Sequence, residues 1–297
     1  MAHREPTGER KPMSDEARAR IAEAVRQAAA RKRLANNQTP IPGLDTKFAE
    51  RDIELVKMEE QVFSPELFIP METGKPIDLI FTEDGGVPKA CNFMMIGDPG
   101  IGKSTVALDI LSDLQLSDYK VLFISAEMTR IDLHGYVNRF PKFGSVDILF
   151  LNEYFDSNPK EVIEKALSPG YDIVLMDSFA EIQSTLKESL SMNANSAEKW
   201  ITNAMLSNNS GVNKSHRNTT FIAIQQVTKD GVQLGTNRLK HAMTGMIELR
   251  KDEESGKPFI VFTKNRRGAV NKRMYYTLST SGDVRYDIEK YMTDYAE

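Results

Sequence analysis

The stretch "GDPGIGKST", Gly97–Thr105, follows the apolar run "CNFMMI" and precedes "STVALDILSDLQL". Its spacing is G-x-x-x-x-G-K-[ST], with Gly97, Gly102, Lys103 and Ser104 at the fixed positions. A turn needs one glycine or two, and has no use for a lysine held between a glycine and a serine. Glycines let the backbone curl so that successive N–H groups face inward and approach an anion closely. The helix that follows aims its N-terminal amides at the same point. The whole stretch Gly97, Asp98, Pro99, Gly100, Ile101, Gly102, Lys103, Ser104 and Thr105 therefore reads as a phosphate cradle. Lys103 reaches the outer phosphates and the Ser104 hydroxyl faces Mg²⁺. An apolar strand before the motif and a helix after it are the context such a loop requires. The expected ligands are ATP and Mg²⁺.

Outward from the loop, apolar runs alternate with helical patterns. Strands are expected at "NFMMIG", "KVLFISAEM", "VDILFLN", "DIVLMDS" and "TTFIAIQQV". Helices are expected over 103–116, 129–139, 159–167, about 195–207 and 237–243. "MIELRKD", "KPFIVFTKN" and "RMYYTLSTSGDVRYD" close the chain as strands with turns at "EESGKP" and "STSGD". Continuously apolar strands separated by helices imply a buried, mainly parallel sheet, and the last strands imply an antiparallel edge.

At 297 residues and 40% hydrophobic content the chain can bury a large core. No apolar run is long enough to span a membrane, and residues 1–40 lack the apolar centre of a secretory signal. The single cysteine, Cys91, excludes an internal disulfide and a cysteine-built zinc site, and suits a reducing cytoplasm. Net charge is −4, so any polyanion site must be local. Residues 1–37 concentrate nine Lys/Arg against five acids. There "SDEARARIAEAVRQAAARKRL" reads as a helix capped by Ser14. The expected organisation is an N-terminal disordered and helical basic arm over 1–40, read as a solvated arm, an oligomerisation element or a nucleic-acid contact, then a linker over 41–70 and an ATPase domain over 71–297.

Four further positions carry chemistry. Asp177 ends the strand "DIVLMD", where an acid can hold Mg²⁺. Glu127 ends "VLFISAE", where a carboxylate can take a proton from an attacking water or simply cap a helix. Gln225 and Gln226 end "FIAIQQ", and an amide there can touch a γ-phosphate or face solvent. Lys264, Arg266 and Arg267 in "VFTKNRRG" are cations of the kind phosphoryl transfer uses, or a basic surface turn.

Together, "TGKPIDLIFTEDGGVPKA", "GDPGIGKST", "ISAEM", "DIVLMDS", "QQVTKDG", "LKHAMTGMIEL" and "TKNRRG" resemble RecA-like ATPases. They resemble most the central domain of the RadA/Sms branch-migration ATPases, and next the DnaB-type hexameric helicases. The stretches keep the family's order across roughly residues 70–270. The resemblance implies a RecA-like P-loop NTPase fold of the α/β class. Its central sheet is mainly parallel, with helices on both faces and an antiparallel C-terminal edge. It further implies Glu127 as catalytic base, Gln226 as the nucleotide- and DNA-coupled sensor, and Lys264 and Arg266 as fingers reaching a neighbour's ATP. Two loops, 184–200 and 228–241, are expected to face single-stranded DNA. The second carries Lys229, Arg238, Lys240 and His241. A homo-oligomer, as hexameric ring or filament, is implied. Gln226 replaces the family's usual His and Arg267 its usual aromatic. The family's four-cysteine zinc element has no counterpart, and its C-terminal protease-like domain is not expected here. Rival readings are a DnaB-type replicative helicase and, from another class, a KaiC-like signalling ATPase without DNA binding.

Overall fold

A computed structural model describes residues 55, 57–60, 62–225, 237–280 and 282–295. Contacts divide the chain at Gln61/Val62, and the unit Val62–Glu297 is the one described below. Among its described residues, nine strands form one sheet in the order β3-β2-β4-β5-β1-β6-β7-β8-β9. The strands are β1 Asn92–Gly97, β2 Val121–Ser125, β3 Asp147–Phe150, β4 Ile173–Asp177, β5 Thr220–Ile224, β6 Gly245–Lys251, β7 Pro258–Asn265, β8 Arg273–Leu278 and β9 Val284–Tyr286. The first six pair in parallel and β6 through β9 pair antiparallel. The α/β architecture expected from the sequence, a mainly parallel sheet with an antiparallel C-terminal edge, is therefore present.

The helices are α1 Lys103–Leu116, α2 Arg130–Arg139, α3 Pro159–Leu167, α4 Phe179–Leu190, α5 Ala194–Asn209, α6 Asn237–Ala242 and α7 Ile288–Tyr295. Strand periodicity sorts the core into two layers. Phe93 and Met95 of β1 pack with Val106, Leu108 and Ile110 of α1. Met94 and Ile96, pointing the other way, pack with Phe179 and Ile182 of α4 and Ile201 of α5. In the first layer Phe81, Phe93 and Phe262 meet edge to face, with ring centroids 5.3–5.6 Å apart. No helix of the described residues is long and apolar enough to cross a membrane.

The polar expectation for 184–200 is corrected by the structure. This stretch is not a loop. It is the end of α4 and the first half of α5, joined by a short turn at 191–193. Ser178 caps α4 through Glu181 N and Asn193 caps α5 through Ser196 N. Phe179, Ile182 and Leu186 follow helical spacing and are buried, as are Ala197 and Glu198. The polar residues between them line the outer face and masked that period. The N-terminal arm and residues 228–236 lie outside the described residues.

One ionic cluster, buried at Asp109 and Asp113 and exposed at Asp283, fastens α1 to its surroundings. Lys142 Nζ lies 2.7 Å from Asp109, 2.6 Å from Asp113 and 2.8 Å from Asp283. Lys75 Nζ approaches the same three carboxylates at 3.2, 2.8 and 3.2 Å. Burial alone pulls Lys142 down, but its hydrogen bonds to the three aspartates outweigh this and hold it above its ordinary value. Burial raises Asp113, against the opposing hydrogen bonds of Lys142 and Lys75. Removing one lysine leaves three carboxylates with a single cation, and breaking such a pair costs about 3–5 kcal/mol. Lys142→Met is expected to lower unfolding stability by that amount in urea titration. A loss under about 1 kcal/mol would show that solvent already screens the cluster.

Candidate nucleotide site

The phosphate-loop stretch runs from the end of β1 into α1, in the middle of the sheet. Two glycines are required where neighbouring chain presses on the loop. A β-carbon at Gly97 would sit 2.6 Å from Leu249 O, and one at Gly102 2.5 Å from Leu278 Cδ1. Gly102 also has φ 105°, a conformation that side chains resist. On the front, a β-carbon at Gly100 would meet nothing within 4 Å. The loop is thus backed at Gly97, flanked at Gly102 by Leu278 and open at Gly100, the shape an anion cradle needs.

Lys103 Nζ donates to Gly97 O at 2.8 Å and to Asp98 O at 3.0 Å. Burial lowers its pKa, opposed by Asp177, Glu127 and Asp98. Its side chain is thus drawn across the loop and faces three carboxylates. Asp177 ends β4, two strands from β1. Ser104 Oγ spans that gap and donates to Asp177 Oδ2 at 2.5 Å. The parallel register that pairs Asp177 with Ile224 of β5, and Ile224 of β5 beside Met95 of β1, sets the distance. Glu127 follows β2, next to β4, and is exposed. The preceding residue is held from two sides: Ala126 N donates to Asp177 O at 2.8 Å and Asn152 Nδ2 donates to Ala126 O at 2.8 Å.

These residues share an open cleft of about 460 Å³ lined by the loop, Glu127 and Asp177. Tyr136, Arg139 and Leu278 complete the wall, and the sequence reading did not include them. Tyr136 and Arg139 stand one turn apart on α2, so their i,i+3 spacing beyond Glu127 was available as a signal. Leu278 comes from β8, and no local pattern links it to the loop. The donor set fits a nucleotide with a hydrated divalent ion: a hydroxyl and a buried acid in contact, beside a lysine and an open glycine loop.

Asp177 is 2% exposed, and burial pushes its carboxyl up to about 6. The Ser104 hydrogen bond and Lys103 oppose that rise, and Glu127 adds to it. In the unfolded chain an aspartate titrates near 3.8. The folded state thus holds this proton more tightly, and the nucleotide-free protein loses stability as pH rises from about 4 to about 6. The gap of roughly two pH units corresponds to about 3 kcal/mol above that window. Asp177→Asn, which cannot charge, is expected to melt several degrees above the native chain at pH 8. Equal melting temperatures would show that the carboxylate is already compensated.

Lys264 and Arg266 fall elsewhere. Lys264 pairs with Met246 of β6, which pairs with Met94 of β1, so both cations sit at the end of the sheet away from the loop. β7 pairs with β6 along its length and with β8 at Phe259–Val261. Lys264 Nζ donates to Lys240 O and Met243 O at 2.7 and 2.6 Å, and Arg266 Nη2 to His241 O at 3.0 Å. Burial, and then Arg266, lower the Lys264 pKa. Lys240 and His241 are exposed on α6. Arg238 belongs to the same helix, and Gln226 and Lys229 lie outside the described residues.

No protein-family model matches the chain. Among curated proteins it is similar to the DNA repair protein RadA of Campylobacter jejuni, 25% identical over 206 residues, 69% of this chain and 44% of the relative. RadA of Chlamydia muridarum is 29% identical over 199 residues, 67% of this chain and 41% of the relative. The chain thus spans under half the length of these relatives. Among solved structures, a KaiC-like protein of Pyrococcus horikoshii superposes with TM-score 0.52 at 16% identity, covering 74% of this chain and 99% of that one. The RadB recombinase gives TM-score 0.52 at 18% identity, covering 72% and 100%. The fold is RecA-like, and the sequence resembles RadA.

Proposed function

We propose that the chain hydrolyses ATP with Mg²⁺ and couples hydrolysis to remodelling of, or movement along, single-stranded DNA in repair or recombination. The observation that carries the enzymatic half is the meeting of Lys103, Ser104, Asp177 and Glu127 in one cleft from three segments of the chain. The DNA half rests on the similarity to RadA.

In this reading the loop amides and Lys103 bind the β- and γ-phosphates. Ser104 and Asp177 would hold a magnesium ion, which would supply charge neutralisation at the phosphates. Glu127 orients the attacking water and accepts its proton. Gln226 senses the γ-phosphate and relays its loss. Lys229, Arg238, Lys240 and His241 track the DNA backbone. Lys264 and Arg266 complete the site of a neighbouring copy, so the active form is a homo-oligomer, ring or filament. The ATPase domain is 71–297, with the arm before it serving assembly.

The test is the hydrolysis rate with and without single-stranded DNA. Stimulation that fades as salt rises is expected, because phosphate contacts release counterions. Hydrolysis indifferent to DNA would leave an ATPase of another class.

A further inference from the structure

The phosphate loop is gripped from the C-terminal edge of the sheet. Tyr276 of β8 is 2% exposed, and its hydroxyl donates to Ile101 O at 2.7 Å. Burial raises the phenol far above its ordinary value, so it stays a donor at any working pH. Two residues on, Leu278 lies where a β-carbon of Gly102 would fall. The hairpin that carries both is fixed in turn. Gly282 N donates to Arg139 O at 2.8 Å, and Val284 N donates to Asp109 of α1 at 3.2 Å.

This grip sets the direction of one peptide. In a planar trans peptide the carbonyl and the following N–H point opposite ways. Gly102 lines the cleft, whereas Ile101 and Tyr276 do not. Holding the Ile101 carbonyl in the core therefore turns the Gly102 N–H toward the cleft. The anchor matters because Gly102 tolerates backbone conformations of either hand. An unanchored 101–102 peptide could rotate and present its carbonyl oxygen to the phosphates. We infer that Tyr276 is a positioning residue that aims the Gly102 amide at the phosphate chain of the nucleotide. The inference rests on the nucleotide reading of this cleft.

Tyr276→Phe removes one oxygen and keeps the ring. MgATP and inorganic pyrophosphate, which engages the loop alone, are titrated against native chain, Tyr276→Phe and Tyr286→Phe. Tyr286 is the matched control, a partly buried tyrosine of β9 whose hydroxyl reaches Asp109 at 3.4 Å and not the loop. Losing a charge-assisted hydrogen bond weakens binding by about tenfold or more. The expected result is that loss for both ligands in Tyr276→Phe, seen in KM more than in kcat, with Tyr286→Phe binding as native. Native chain that binds both ligands, with Tyr276→Phe binding them equally, overturns the inference alone. Native chain that binds neither overturns the nucleotide reading and the inference with it. Should Tyr276→Phe fail to fold, the native protein still decides. The ¹⁵N-glycine amide resonance of Gly102 is expected to move downfield on adding pyrophosphate, and a stationary resonance overturns the inference.

Discussion

Arg266→Ala protein is expected to bind ATP as the native chain does and to hydrolyse it about 10³–10⁵-fold more slowly, the range known for a cation supplied in trans. The register of the sheet motivates this. Arg266 follows β7 at the end of the sheet where β1 begins, and the phosphate loop lies where β1 ends. The strand rise is about 3.3 Å per residue, so the run from Phe93 to Gly97 separates the two by about 13 Å. A guanidinium that caps His241 O there does not serve its own loop. Lys264, held by the same helix end, is expected to behave likewise. Complementation is the decisive measurement. Lys103→Ala subunits have a dead loop and intact fingers; Arg266→Ala subunits have the reverse. Mixing them creates interfaces that join an intact loop to an intact finger, and activity is expected to exceed either parent. If mixed oligomers form and no activity returns, titrating Arg266→Ala into native protein distinguishes the causes. Loss strictly proportional to the mutant fraction assigns Arg266 to its own subunit.

Glu127→Gln is expected to keep ATP affinity within about threefold and to lose about 10²–10⁴ in kcat, the usual cost of a missing general base. Its carboxylate is exposed at the mouth of the cleft, while the backbone just before it is tied to Asp177 O and to Asn152. That combination suits a group placed accurately yet open to water. The glutamine keeps size and hydrogen bonding and removes only basicity. Loss of nucleotide binding in this variant would make Glu127 a structural cap, the alternative its sequence position allows. Rapid-quench measurement of a single turnover separates the outcomes, since a missing base slows cleavage of ATP already bound.

The phosphate loop was legible in the sequence because its chemistry is local. Gly97, Gly102, Lys103 and Ser104 must be neighbours in the chain to cradle one anion. Asp177 and Glu127 were legible as acids at the ends of apolar strands, and their parallel pairing brings both to the loop's end of the sheet. The helix α5 was legible as the one expected over about 195–207, whereas α4 was hidden, because serines, lysine and glutamates cover its outer face while its buried positions are few.

The sequence by itself determined the layered α/β fold, through apolar strands buried on both faces and helices capped between them. It also determined which residues could hold a phosphate. Only the tertiary structure decided what stands behind the loop and at which end of the sheet each cation lies. Tyr276 and Leu278 reach Ile101 and Gly102 from some 175 residues away, and such a contact follows from sheet order, not from local pattern. The antiparallel turn from β6 to β7 likewise reverses the chain, which carries Lys264 and Arg266 away from the loop that β1 points toward.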